Sequence, residues 1–268
     1  MNDEVRVVTY DQIVEITIDR PPANAINPAV SNAIYDALLM LQQDDNLRVG
    51  IITGSGERIF SAGWDLKEIA AIDNNEEAVN SAFTCPGGFA GICEFWGLKK
   101  PVITAINGMA VGGGFEIALA SDMIVAADHA EFFLPEMQRG FLPDVGAVQI
   151  LPRRIPYNVA MDLLYTGRRM SAAEALHWGL VCRVCPYAEL MHTVRELACE
   201  IASGAPLALQ ALKEVVPAIY NMTMPQAFAA TKPGNENLPI YQKMLMSDDF
   251  MEGPRAFSEK REPVWRGK

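Results

Sequence analysis

The sequence predicts an α/β fold that ends in a helical region. Three observations carry this. Short β-rich segments alternate with helical ones through the first half of the chain, and Gly, Pro and Asn clusters separate them. Beyond about residue 157 the apolar spacing becomes mostly helical. Strand-strand-helix units followed by helices imply an α/β core with a helical C-terminal part, although no strict sequence repeat is present.

The elements follow in order. Arg6 to Thr9 and Ile13 to Ile18 read as a hairpin, ended by Arg20-Pro21-Pro22. Ser31 to Gln43 has helical spacing, with Ile34, Leu38 and Leu41 on one face. Val49 to Thr53 is a short apolar strand closed by Gly54-Ser55-Gly56, and Ser61 to Ile69 passes through Gly63 into a helix. Residues 71–96 mix an acidic run, Asp73 to Glu77, with Pro86-Gly87-Gly88. They read as a long active-site loop with a helix at its end; length and glycine content raise closure of 71–91 over substrate as a question and do not decide it. Val102 to Ile106 is a strand, Asn107-Gly108 a turn, and Gly112-Gly113-Gly114 opens a helix to about Ala120. Met123 to Ala126 and Phe132 to Leu134 are strands, and Pro143, Gly146 and Pro152 break the segment that follows. Helices are expected near 158–165, 171–178, 187–203, 205–220 and 236–247, with the core spanning 1–195 and the helical region 196–268.

Composition excludes several classes. Half of the 268 residues are apolar, so a large core can be buried. The formal charge is -11, and the only dense basic cluster is Lys260 to Lys268, which argues against a nucleic-acid partner. No stretch is apolar for long enough to span a membrane, and Met1 to Arg6 lacks a signal-peptide core, so a cytoplasmic protein is expected. The five cysteines are irregularly spaced. Cys182 and Cys185 form a CxxC around an apolar strand, with no second pair to complete a zinc site. Gly54-Ser55-Gly56 has no glycine at Ile59, so it is not a dinucleotide fingerprint, and it lacks the Lys-Ser/Thr of a phosphate loop. No HExxH or GxSxG pattern occurs.

The chemistry concentrates in two places. Gly112-Gly113-Gly114, between strand and helix, leaves backbone N–H groups uncovered at a helix N-terminus, which suits a developing negative charge such as a thioester enolate. Close helix–strand packing uses glycine equally well. Glu116 follows on the first helical turn, in an apolar segment, and Glu136 follows the apolar Phe132-Phe133-Leu134-Pro135. Carboxyls in apolar surroundings have raised pKa values and can act as acid or base near neutrality. Spacing alone does not bring the two together.

These segments resemble the enoyl-CoA hydratase/isomerase (crotonase) family over essentially the whole chain. The resemblance rests on Asp19-Arg20-Pro21 with Ala23-Asn24-Ala25-Ile26, Phe60 through Leu66, Lys100 through Gly108, Gly112 through Glu116, Leu134-Pro135-Glu136, Thr166-Gly167-Arg168 and Trp178 through Val181. It implies a spiral of ββα units and a C-terminal helical region that builds homotrimers, often paired as a dimer of trimers. It also implies an acyl-CoA thioester substrate, with CoA as part of that substrate and no separate cofactor or metal. In family terms the N–H groups of Trp64 and Gly113 form an oxyanion hole. Glu116 holds and deprotonates water while Glu136 delivers the proton to the α-carbon. The CoA lies near Ala23, Ala25, Ala62, Asp65 and Leu66, and Phe257 and Lys260 reach the CoA of a neighbouring subunit.

Two intact glutamates favour hydratase/dehydratase chemistry within the family, since isomerising members commonly keep only the second. A narrower set resembles the subgroup that acts on carnitine-derived acyl groups: Ser61 through Leu66, Pro86 through Gly91, Pro143-Asp144, and the tail from Glu252 to Trp265. There Asp144 would face a trimethylammonium, with Trp64, Phe89 or Trp96 offering a ring face. Asp144 capping a helix and the aromatics packing the core account for the same residues. Hydration of an ordinary short-chain enoyl-CoA, double-bond isomerisation, and a non-catalytic binding subunit are the alternative functions.

Overall fold

A computed structural model describes residues 3–72, 74 and 84–268. A six-stranded sheet has the order β1 (Val5–Tyr10), β2 (Ile13–Ile18), β3 (Val49–Gly54), β5 (Val102–Ile106), β7 (Met123–Ala127) and β10 (Arg183–Cys185). The hairpin β1–β2 is antiparallel and every other pair in this sheet is parallel. β3 and β5 are buried along their whole length, as strands covered on both faces must be.

A second sheet joins β4 (Ile59–Ser61), β6 (Met109–Val111), β8 (Glu131–Phe133) and β9 (Met170–Ser171). Sequence reading finds β8, one residue late, but misses β4, β6 and β9, because two or three residues are too few to show a period. This small sheet decides the function. β3, β5 and β7 each hand the chain on to β4, β6 and β8, so successive ββ units climb side by side. β4, β6 and β8 are parallel neighbours, and the residues that follow them emerge at one edge.

The helices pack around the sheets. α1 (Pro28–Gln43) starts three residues earlier than its spacing predicts, because Asn27 caps it by accepting from the Val30 N–H at 2.9 Å and Pro28 fits the first turn. Its buried stripe includes Ile34, Leu38 and Leu41. α2 (Leu66–Ala70) and α3 (Gly113–Ala120) follow the first two ββ units. The expected break at Pro152 is instead α4 (Ala147–Arg154), which tolerates Pro152 in its last turn; Gly146 begins it without a side-chain cap. α5 (Tyr157–Thr166), α6 (Ala172–His177), α7 (Leu190–Ala202) and α8 (Pro206–Ile219) match the expected helices within a few residues. α9 (Met224–Ala230) is unforeseen, α10 (Pro239–Leu245) starts three residues late, and α11 (Asp248–Glu259) was hidden by Gly253-Pro254.

The acidic run Asp73 to Glu77, apart from Asn74, and residues 78–83 of the supposed closing segment lie outside the described residues. The end of that segment is a one-turn 3-10 helix, Phe89–Gly91, with Ala90 left-handed. Among the described residues, no helix is long and apolar enough to cross a membrane, and no group of three or more His, Cys, Asp or Glu side chains is placed to hold a metal ion.

Candidate active site

The edge where β4, β6 and β8 end opens into a cavity of about 600 Å3. Each strand contributes its next residues: Ala62 and Trp64 after β4, Gly112, Gly113 and Glu116 after β6, and Glu136 after β8. Parallel pairing of three short strands thus gathers groups that lie far apart in sequence.

The first two turns touch through glycine. A Cβ on Gly63, whose φ is +77°, would lie 2.6 Å from the Gly113 nitrogen and 2.9 Å from the Val111 oxygen. Ser61 sets this turn. Its buried hydroxyl donates to the Asn24 carbonyl at 2.7 Å and accepts from the Gly63 N–H at 3.1 Å. The N–H groups of Trp64 and Gly113 donate to no oxygen of the described residues, and both residues line the cavity. Two unspent donors on touching turns can receive one oxyanion.

Glu116 is 2% exposed. Its Oε1 accepts from the Ala147 N–H at 3.0 Å, so the start of α4 holds the carboxyl. Burial pushes its pKa up to about 8; the Ala147 amide pulls it back in part, and the charges of Glu136 and Asp144 push it further up. Glu136 begins a 3-10 turn after Pro135. Its pKa is raised by burial, with its own backbone amide and Arg139 opposing. Glu116 and Glu136 are thus both held toward the protonated form, and the two titrate as a pair. Its Oε2 is hidden from solvent with no hydrogen-bond partner among the described residues.

The raised Glu116 pKa links stability to pH. Between the ordinary carboxyl value of 4.5 and about 8, the folded chain keeps a proton that the unfolded chain has lost. Stability therefore falls as pH rises through that window, by at most about 1.4 kcal/mol per pH unit. Glu116→Gln keeps an acceptor for Ala147 and removes the titration. Its melting temperature should gain on the parent's steadily from pH 5 to pH 8; parallel curves would contradict the assignment.

The remaining sequence candidates divide. Ala62 and Leu66 line the cavity, whereas Ala23 and Ala25 are not among its lining residues. The Ala62 N–H donates to the Ala23 carbonyl at 2.9 Å and the Ile26 N–H to the Gly63 carbonyl at 2.8 Å. The Asp65 carboxylate is occupied locally. It pairs with Arg20 at 2.6 Å and caps α2 through the Lys67 and Glu68 N–H groups. Phe257 and Lys260 sit exposed at the end of α11, outside the cavity lining of this protomer.

Asp144 lines the cavity, and the α4 cap expected of it belongs to Gly146. Its carboxylate has no ion pair among the described residues. Phe89 and Trp64 meet edge to face at 6.3 Å on the cavity wall. Trp96 is not in this lining: it is 77% exposed and lines a neighbouring depression that shares Asp144 and Val145 with the cavity. Sequence reading gave no role to the Ser61 hydroxyl, the Ala147 amide or Arg139. A backbone donor leaves no mark in side-chain identity, and Ser61 was visible only as one letter of a longer segment.

Comparison with known proteins shows the family. The enoyl-CoA hydratase/isomerase family model matches residues 9–268. A carnitinyl-CoA dehydratase of Salmonella heidelberg strain SL476 is 48% identical over the full length of both chains, as is that of Salmonella typhimurium strain LT2. A crystal structure of an enoyl-CoA hydratase from Mycobacterium tuberculosis H37Rv superposes with a TM-score of 0.88 at 38% identity, covering 99% of each chain. One from Bacillus anthracis reaches 0.87 at 35%, covering 99% of this chain and all of the other.

Proposed function

The chain belongs to the enoyl-CoA hydratase/isomerase family, and from that premise we propose that it reversibly adds water to, or removes it from, an enoyl-CoA whose acyl group is crotonobetainyl, the dehydrated form of carnitinyl. The observation that carries the proposal is the meeting of Glu116 and Glu136 in one cavity beside the two free N–H groups of Trp64 and Gly113.

In the dehydration direction the Glu136 carboxylate takes the α-proton. The electron pair moves onto the thioester oxygen, which the Trp64 and Gly113 N–H groups stabilise. The enolate re-forms its carbonyl and expels the β-hydroxyl, which leaves as water with the Glu116 proton. Hydration reverses each step: Glu116 takes a proton from water, the oxygen attacks the β-carbon, and Glu136 protonates the α-carbon. Either direction needs one proton shared by the pair. Dehydration begins from the state with Glu136 ionised and Glu116 protonated, and hydration from the reverse.

Asp144 supports the cationic acyl group. An unpaired carboxylate beside the Phe89 and Trp64 rings suits a trimethylammonium. Loss of enoyl-thioester absorbance on hydration, compared between crotonobetainyl-CoA and crotonyl-CoA, tests the substrate. Preference for crotonyl-CoA would retain the mechanism and discard the carnitine reading. Asp144→Asn should cut the preference for the cationic substrate by roughly tenfold in kcat/KM, with crotonyl-CoA little changed. Equal losses on both substrates would remove Asp144 from the selectivity.

The reading extends to assembly. Leu212, Val216, Tyr220, Phe228, Phe250 and Phe257 are exposed along the C-terminal helices. Such an apolar face fits contact with further copies of this chain in a trimer or dimer of trimers. In that assembly Phe257 and Lys260 meet the CoA of a neighbour, and lysine suits its phosphates.

A further inference from the structure

A second cavity, of about 100 Å3, lies at the seam between the core and the C-terminal segment and shares no lining residue with the first. The core supplies Asp45, Arg48 and Lys100, the start of α8 supplies Pro206 to Leu207, and Lys243, Arg266 and Gly267 complete it. Four cations thus face one small space with a single carboxylate, Asp45, among its lining residues. The whole chain carries 33 acidic residues against 22 Lys and Arg.

None of the four cations forms an ion pair among the described residues, whereas Arg20, Arg168, Arg195 and Arg261 all do. Arg48 donates through Nη1 to the Ala202 carbonyl at 2.6 Å and the Gly204 carbonyl at 3.1 Å, but its Nε is buried with no partner. Lys100 is 4% exposed, and its Nζ donates to the Asp44 carbonyl at 2.6 Å. The nearby Asp249 carboxylate is turned to the backbone N–H groups of Arg266 and Gly267, at 2.8 Å each. Carbonyl oxygens satisfy some donors and neutralise no charge. Burial lowers the pKa of both Arg48 and Lys100, against the opposing pull of Asp249 on Arg48 and of Asp45 and Asp44 on Lys100.

We infer that this cavity is a binding site for a phosphate-type oxyanion, held between the core cations Arg48 and Lys100 and the C-terminal cations Lys243 and Arg266. Leu207, whose N–H at the start of α8 no side chain caps, belongs to the same lining. An anion there bridges cations from two parts of the chain. It therefore stabilises the docked C-terminal segment. The phosphate has two sources, inorganic phosphate or a phosphate of CoA, and the chemistry is the same.

The test uses the full-length protein in phosphate-free buffer, titrated with inorganic phosphate and separately with CoA, against sodium chloride at matched ionic strength. Melting temperature and direct binding by calorimetry are both read. Lys243→Gln/Arg266→Gln changes exposed side chains and leaves the catalytic cavity untouched, so its melting in chloride and its basal turnover should match the parent's. Inorganic phosphate is expected to raise the parent's melting temperature by several degrees beyond chloride, and the double variant to bind it at least tenfold more weakly. Protection by CoA alone that the double variant loses would assign the site to the nucleotide's phosphate. No protection beyond chloride by either ligand, or protection undiminished in the double variant, overturns the inference. A water-filled cavity would give the first of these results.

Discussion

Glu136→Gln is expected to lower turnover of the enoyl-CoA by about 10³-fold, within the usual range of roughly 10²–10⁴ for a lost general acid–base, while acyl-CoA still binds. Glutamine keeps the shape of the side chain but neither takes nor gives a proton. The Oε2 it replaces is hidden from solvent and unpartnered, so the change breaks no hydrogen bond within the described residues. Glu116→Gln should cost a similar factor, and the double variant little more than either single one, because the two groups act on one reaction coordinate. Proton exchange separates their roles. With a 3-hydroxyacyl-CoA in heavy water, Glu116→Gln should still wash deuterium into the α-position, since Glu136 remains as the base. Glu136→Gln should not. Exchange lost in Glu116→Gln and kept in Glu136→Gln would invert the assignment. The same pair sets the alkaline limit: above about pH 8 the shared proton leaves Glu116, and turnover should fall about tenfold per pH unit.

Much of this arrangement was legible before any coordinates. The longer strands announced themselves through β-rich apolar runs such as Val102 to Ile106, and α1 through Ile34, Leu38 and Leu41. The glycine run and the two glutamates were visible as residue types. Their meeting was not. It depends on β4, β6 and β8, strands of three residues each that leave no periodic trace, and on their parallel order. The hold on Glu116 is a backbone amide, which any residue at position 147 supplies. Proline misled at Pro152, and Pro254 stands in a helix that the spacing did not announce. Pro152 and Pro254 lie inside α4 and α11, where neighbouring turns and packing carry the helix past one missing donor. Trp96 looked like a ligand ring by type alone, and only its exposure removes it. What sequence transmits well is chemistry and long periodicity; what it hides is the short pairing that gives the chemistry a place.

That pairing can be broken by one methyl group. Gly63→Ala is expected to lower turnover by about 10²–10³-fold, the scale for losing one oxyanion donor. The new Cβ would sit 2.6 Å from the Gly113 nitrogen, so the turns after β4 and β6 must separate at the point where their two N–H groups converge. An alanine at φ +77° also strains the backbone by roughly 1–3 kcal/mol, which lowers stability whatever happens to catalysis. Gly56→Ala provides the control. Its φ is +84°, and an added Cβ would meet nothing within 4 Å. It carries the same strain away from the cavity, so it should melt earlier and turn over normally. If both variants lose turnover in proportion to stability, the loss is one of folding. If Gly63→Ala alone loses it, at a temperature where both are folded, the close approach of the two turns is what holds the oxyanion donors together. Full turnover in Gly63→Ala would show that the thioester oxygen is bound elsewhere.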